Sequence, residues 1–380
     1  MRVAIDYTPA IRQGAGIGRY TRGLVSALAD IDQENQYILF CAGEPPSRKE
    51  WPPNFVLRQS AIPSRWLTIG WHRLRLPLPA EALTGDCDLY HSPDFVLPPL
   101  RTARGVVTVH DLTFLRLPGC ADPGLRAYLN RSVPKAVSAA RHVLADSWNT
   151  RNDLIDLLQV SPGKVSVVPG AVDATFARVE DSGMLDHTRA RYGLPPWFII
   201  SVGTLEPRKN YPRLVSAYAL MRRQTALPHH LVIVGRPGWL YKEVHERVRT
   251  EGVGEYVHFL GFVPDGDLPA LYTLADLMVF PSLYEGFGIP PLEAMACGTP
   301  VVSSNNSSLP ESVGSAAMTV NAEDGEGIAD AMARVLGNSS LRARLIELGK
   351  VQAKQFTWTA AVHQLLAAYK RALSESGTEQ

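Results

Sequence analysis

No apolar run in this 380-residue chain approaches the roughly 18 residues that a membrane-spanning helix needs; stretches such as residues 197–202 and 231–234 are far shorter. An integral helical membrane protein is excluded on that ground. Excess charge is also missing, since 38 Lys and Arg against 37 Asp and Glu leave a net charge of +1. Neither an acidic tail nor a global attraction to nucleic acid follows from such a balance. With 46% hydrophobic and 20% charged residues, the composition has no signature of disorder either. Cysteine is scarce, and Cys41, Cys87, Cys120 and Cys297 are spaced too widely for a CxxC pair or a zinc ribbon. They read as core thiols of a cytosolic chain. Met1 and Arg2 run straight into a strand-like Val3-Ala4-Ile5-Asp6 with no apolar core or cleavage site, so the chain is expected to stay in the cytoplasm. A Walker loop and a Gly-x-Ser-x-Gly elbow are both absent, which removes the kinase and esterase readings.

What is present is alternation. Short β-branched runs bounded by Gly, Pro or Asp recur between longer segments of helical period, from residues 2–5 to 165–167 in the first half and from 197–203 to 316–320 in the second. That is the pattern of βαβ units, and it predicts an α/β protein with two doubly wound, Rossmann-like parallel sheets. The boundaries are expected at 1–172 for the first domain, 173–196 for a linker or hinge rich in Gly, Asp and Pro, and 197–356 for the second domain. A last helix over 357–373 carries Trp358, Val362, Leu365, Leu366 and Tyr369 on one stripe, as a docking helix does. Ligands of open parallel sheets sit beyond the carboxyl ends of the strands, so two such sheets facing each other predict an interdomain cleft.

The chemistry-bearing motifs fall at such strand ends. Gly14-Ala15-Gly16-Ile17-Gly18, after the first strand, reads either as a phosphate cradle at a helix N-terminus or as a simple turn. His110-Asp111 closes a buried strand; its histidine is either a core residue satisfied by the neighbouring Asp or a site residue, and the strand-end position favours the second. His91 ends the preceding strand in the same way. Arg208 and Lys209 stand on the turn after Gly203, where a bidentate guanidinium and a mobile ammonium suit a diphosphate. The stretch 285–300 is the most informative. Gly286 and Gly288 free backbone amides, Pro290 and Pro291 suit a first helical turn, and Glu285 and Glu293 can reach different parts of one extended ligand. A glycosidase reading needs two carboxylates across a single sugar, about 5 to 9 Å apart, and eight positions separate these two acids. The paired acids Asp86/Asp88 and Asp265/Asp267 read as structural rather than as metal ligands.

Taken together, these residues resemble glycosyltransferase family 4, the retaining sugar-nucleotide transferases of the GT-B fold, over nearly the whole chain. Gly16, His110-Asp111, Arg208-Lys209-Asn210 and Glu285-x7-Glu293 carry the resemblance. The Gly-Ile-Gly-Arg-Tyr start, Asp-Leu-Tyr-His-Ser-Pro at 88–93 and His-Asp-Leu-Thr-Phe at 110–114 further resemble bacterial mannosyl- and rhamnosyltransferases of polysaccharide assembly. The resemblance implies that Arg208 and Lys209 neutralise the donor diphosphate, assisted by amides of Phe287, Gly288 and Ile289. It implies that Glu293 holds the ribose and Glu285 the sugar hydroxyls, that His110 binds the sugar's 6-position, that Phe262 and Val263 frame the base, and that Gly16 admits the phosphates and acceptor. It also implies that the first domain, 1–172, binds the acceptor and the second, 197–356, the sugar nucleotide, and that the C-terminal segment 357–380 returns to the first domain. Neither a cofactor nor a metal ion is implied. The donor would be a nucleotide diphosphate sugar, GDP-mannose foremost, and the acceptor a saccharide or lipid-linked saccharide, with no nucleic acid involved. The alternative is a sugar-nucleotide epimerase or hydrolase, or a non-catalytic nucleotide-sugar binding protein.

One segment stands outside these motifs. Residues 64–77 combine three Arg and two Trp. They either pack a helix onto the first sheet through Trp66, Ile69 and Leu74, or rest on lipid headgroups as a peripheral contact at the inner face of the membrane.

Overall fold

A computed structural model describes residues 1–14, 16–43, 50–74 and 76–374. Arg75 of the Arg- and Trp-rich segment, Ala15 of the first glycine loop and residues 375–380 of the expected C-terminal segment lie outside the described residues. The chain forms two compact units. One comprises Met1–Leu115, Pro123–Ala171 and the C-terminal segment from Thr357; the other comprises Arg116–Asp122 and Val172–Phe356.

The first unit is built on strands β1 (Arg2–Asp6), β2 (Gln36–Ala42), β3 (Phe55–Ser60), β4 (Leu89–Ser92), β5 (Arg104–Val109), β6 (His142–Ala145) and β7 (Val165–Val167). They pair in the order β3-β2-β1-β4-β5-β6-β7, parallel throughout. The second unit repeats the scheme with β8 (Phe198–Val202), β9 (His230–Val234), β10 (Val257–Gly261), β11 (Leu277–Phe280), β12 (Val301–Ser304) and β13 (Met318–Val320), ordered β10-β9-β8-β11-β12-β13 and again all parallel. Each sheet therefore reverses its winding once, beside its first strand: between β1 and β4 in one unit, and between β8 and β11 in the other. At these switch points the loops leave in opposite directions and open a crevice for ligands.

The sheets are buried on both faces. Ile199, Leu231, Ile233, Leu277, Val279 and Val302 pack one side of the second sheet, and Phe198, Ile200, Val232, Met278, Phe280 and Val301 the other, which is why these strands read as continuous apolar runs. In the first unit the helix Trp358–Ser374 belongs to the core itself. Val362, Leu365 and Tyr369 pack against Val3, Ile5, Leu24, Leu89 and Val106, each contributing roughly 1.5–3 kcal/mol of burial. The Tyr369 hydroxyl meets His91 Nδ1 at 2.7 Å, and His91 Nε2 meets the Thr108 hydroxyl at 2.9 Å. His91 is thus a core histidine. Burial holds its ring well below the usual range, at about 3.

Residues 173–196, expected as a linker, lie within the second unit. They carry the helix Ser182–Tyr192, which opens on Asp181, whose carboxylate accepts from the Gly183 and Met184 N–H groups. Arg191 and the Tyr192 hydroxyl both anchor it to Asp267, at 2.9 and 2.5 Å. Of its residues only Thr188 is buried, so it shows no apolar stripe, and the stripe is what sequence periodicity detects.

Candidate functional site

At the switch point of the second unit, β8 hands the chain to a short turn, Pro207–Lys209, before the helix Tyr211–Gln224. Asn210 sits between them in the left-handed region at φ 60, and its side-chain amide donates to the carbonyls of Pro281 and Ala322 at 3.0 and 2.7 Å. That anchor fixes the turn against the loop that follows β11. Leu283 N–H reaches back to the Arg208 carbonyl at 2.7 Å. The two loops are therefore one structure, although 76 positions separate Lys209 from Glu285.

Glu285 is the centre of this structure. Its carboxylate accepts from Lys209 Nζ at 2.6 Å through Oε1 and from Arg208 Nη1 at 2.6 Å through Oε2. Arg208 Nε reaches Glu206 at 2.6 Å, so the guanidinium bridges two carboxylates. Behind Lys209, the Phe280 ring lies 4.7 Å from the ammonium. The Glu285 backbone is held as firmly, its N–H donating to the Ser307 hydroxyl at 3.0 Å and its carbonyl accepting from the Ser308 hydroxyl at 2.9 Å. Burial pushes the Glu285 carboxyl up, but Arg208 and Lys209 together outweigh it and bring it down to about 2. Burial pulls the Lys209 ammonium down, and the Glu285 charge only partly offsets this. Glu206, Arg208, Lys209 and Glu285 sum to zero charge. An anion entering here would meet two cations already oriented by carboxylates.

The loop from Glu285 ends at Gly288, which takes φ 95 where the helix Ile289–Ala296 begins. A Cβ at Gly288 would lie 2.6 Å from Leu309 Cδ2, so both conformation and space demand glycine. Phe287, Gly288 and Ile289 thus lead into a helix N-terminus, the positive end of the peptide dipoles. The Phe287 side chain is buried edge-on to Phe356 at 5.3 Å. Glu293 is buried in this helix and accepts from the Tyr272 hydroxyl at 3.2 Å. Its charge, after burial, pushes the Cys297 thiol up to about 12. Phe262 is 49% exposed with Arg236 stacked 4.0 Å above its ring, a surface suited to a flat partner. Val263, expected beside it to frame a base, is instead packed into the core, because the chain turns inward after β10.

The remaining expected residues belong to the first unit. His110 is buried and donates both ring protons, from Nδ1 to Asp146 at 2.7 Å and from Nε2 to the Pro93 carbonyl at 2.7 Å. Burial opposes its charge, but Asp146 wins and the imidazolium persists to about 9. The partner is therefore Asp146, not the adjacent Asp111, whose carboxylate caps Thr113 N–H at 2.9 Å. Both ring nitrogens are thus engaged within the fold, and the His110 carbonyl accepts from the Thr150 hydroxyl at 3.2 Å. Gly16 opens the helix Ile17–Ile31 at φ 44 with empty space where a side chain would go. The glycine that packing demands is Gly18, whose Cβ would fall 1.8 Å from the Gln13 carbonyl oxygen. Both Asp pairs are tied into the fold. Asp88 accepts the Arg2 N–H at 2.7 Å, Asp86 pairs with Arg101 at 3.1 Å, and Asp267 holds the helix Ser182–Tyr192. Glu206 and Asn210 stand inside a motif already singled out, though with no role of their own, whereas Asp146 escaped sequence reasoning because the 36 positions from His110 to Asp146 carry no local signal.

Comparison with known proteins gives this geometry a family. The model described as "Glycosyl transferases group 1" matches residues 187–352, and the one described as "Glycosyltransferase Family 4" matches residues 14–176. O-antigen chain mannosyltransferase B of Escherichia coli is 35% identical over 287 residues, covering 74% of this chain and 74% of that protein. The chain belongs to glycosyltransferase family 4. The serotype-specific mannosyltransferase WbdA of E. coli is 31% identical over 261 residues, 67% of this chain, which span 32% of that longer protein. Among solved structures, Anabaena Alr3699/HepE in complex with UDP and glucose superposes with a TM-score of 0.73 at 18% identity, over 97% of this chain and 99% of that one. At that identity the likeness speaks for the fold, the two parallel-sheet units of the GT-B class. Like the family, this chain is a glycosyltransferase.

Proposed function

We propose that this family 4 enzyme transfers a hexose, mannose foremost, from a nucleotide diphosphate sugar to a saccharide or lipid-linked saccharide, with retention at the anomeric carbon and without a metal ion. The observation that carries the reading is the convergence of Arg208 and Lys209 on buried Glu285 at the switch point of the second sheet. In the reaction, the bond from the anomeric carbon to the diphosphate oxygen breaks and a bond to an acceptor hydroxyl forms on the same face. Arg208, Lys209 and the helix N-terminus at Ile289 take up the charge on the departing diphosphate, each well-aimed donor contributing a few kcal/mol. The leaving phosphate accepts the acceptor's proton, so no protein nucleophile is required. Glu285 and Glu293 would hold sugar and ribose hydroxyls, and Phe262 would lie against the base. GDP-mannose leads because O-antigen chain mannosyltransferase B and WbdA are mannosyltransferases by name.

The test is transfer from GDP-mannose with NMR analysis of the product, after a thermal-shift comparison of GDP-, UDP-, ADP- and dTDP-sugars. An α-linked product whose rate is unchanged by EDTA is expected. An inverted product contradicts the front-face mechanism, and loss of activity with chelator, restored by manganese, contradicts metal independence.

The Arg- and Trp-rich segment supports a membrane-proximal acceptor. The helix Ser64–Thr68 runs into a π-helical turn, Ile69–Arg73. Trp66 is 59% and Leu74 65% exposed, beside Arg65 and Arg73, while Leu67 and Gly70 face inward. An outward face of indole, leucine and guanidinium suits an anionic headgroup surface.

A further inference from the structure

The first unit also opens on the side where its strands begin. At their carboxyl ends, by the switch point between β1 and β4, lies a cavity of about 180 Å³ whose wall mixes the acids Asp6 and Asp94 with Arg12 and His72. The cavity at the opposite edge is larger, about 720 Å³, within the roughly 300–1,000 Å³ of small-molecule sites. Arg104 opens β5 there, Arg141 directly precedes β6 and Lys164 directly precedes β7. These three cations line the cavity, and no Asp or Glu does. Leu97 and Leu100, from the segment between β4 and β5, form an apolar flank. No side chain fits at Gly105, whose Cβ would lie 2.5 Å from Leu97 Cδ2, so the leucine rests directly on the strand.

Two of the cations are held in place before any ligand arrives. Arg104 Nη1 donates to the carbonyls of Ala372 and Leu373 at the end of the helix Trp358–Ser374. Lys164 Nζ donates to the Ser138 carbonyl at 3.0 Å, near the end of the helix Pro123–Ala139. Capping helix ends is a structural use, yet it engages one nitrogen of a guanidinium that has about five N–H donors and one bond of an ammonium that has about three. Burial and the Arg141 charge both pull the Lys164 ammonium below its usual range, and no carboxylate counters them. Clustered cations repel one another, so the group gains most from a ligand that brings more than one negative charge. A phosphate monoester carries about −1.5 to −2 near neutral pH and three acceptor oxygens, which a guanidinium binds as a bidentate fork. A carboxylate brings a single charge.

We propose that this cavity binds a phosphate monoester with an apolar body, its phosphoryl group among Arg104, Arg141 and Lys164 and its body against Leu97 and Leu100. None of the donor-side residues lines it, so the test needs neither a nucleotide sugar nor transfer. Ligand-observed NMR on the full chain would titrate phenyl phosphate, with benzoate as a monoanion and benzyl alcohol as a neutral molecule of similar body. Phenyl phosphate should bind, and the other two about tenfold more weakly or worse. Arg208→Ala/Lys209→Ala, which removes the cations of the second unit, should retain this binding. In that background Lys164→Gln and Arg104→Gln should each weaken it about tenfold or more; thermal melting shows which variants fold, and if Arg104→Gln does not, Lys164→Gln decides. Competition then separates two sources of such an ester. Displacement by vesicles containing phosphatidic acid, a monoester, and not by vesicles containing phosphatidylglycerol, a diester, assigns a lipid headgroup; no displacement by either assigns a soluble ester. The proposal is overturned if phenyl phosphate does not bind, if benzoate or benzyl alcohol binds as tightly, if binding is lost in Arg208→Ala/Lys209→Ala, or if folded Lys164→Gln keeps the affinity of its background.

Discussion

Glu285 carries the electrostatics of the site at the scale of a single residue. Its carboxyl, brought from 4.5 to about 2 in the folded chain, is a depressed acid, so the stability it contributes is present above pH 4.5 and is lost as the pH falls toward 2. For a buried group the shift corresponds to an effect on the order of 3 kcal/mol. Glu285→Gln should therefore unfold at lower urea than wild type at pH 7, with the deficit shrinking steadily below pH 4.5. A deficit that does not change with pH would show that the ion pairs contribute nothing and that packing alone was lost. His110 has the opposite sign. Its imidazolium is stabilised by Asp146, and the contribution fades as the pH rises through about 9.

Among the elements, the helix Ile289–Ala296 shows most clearly how local sequence builds the site. Gly288 must adopt φ 95 against Leu309, and Pro290 occupies the first turn, so the loop from Glu285 has a fixed exit. Gly288→Ala should cost about 2 kcal/mol or more through backbone strain and the Leu309 clash, seen as a lower denaturation midpoint; an unchanged midpoint would mean that the loop relaxes freely. This helix was legible in the sequence because its glycines and prolines are local signals. The strands were legible too, since β-branched runs between turn residues have few other uses. The helix Ser182–Tyr192 was not, because an anchor made through Asp267 leaves no apolar period. The partners of His110 and the inward turn of Val263 were equally hidden, for both depend on contacts between distant segments. Trp66 and Leu74, which could pack a helix onto the first sheet or rest on lipid headgroups, are exposed.

At the scale of the whole molecule, the two switch points place the cluster of Arg208, Lys209 and Glu285 in the second unit and a carboxylate-lined cavity in the first. The membrane proposal belongs to this scale. Wild type should co-sediment with vesicles containing anionic lipid at low salt and be released by added salt, whereas Trp66→Ser/Leu74→Ser and Arg65→Glu/Arg73→Glu should stay in the supernatant; pelleting of every variant, or of none, contradicts it. The central claim, that Arg208 and Lys209 act on the departing diphosphate, is tested most directly by single-turnover transfer from GDP-mannose. Arg208→Ala and Lys209→Ala are measured at a temperature where melting curves show each variant folded. The account predicts a fall in the chemical step of about a hundredfold or more for each; variants that are folded and turn over at the wild-type rate would contradict it.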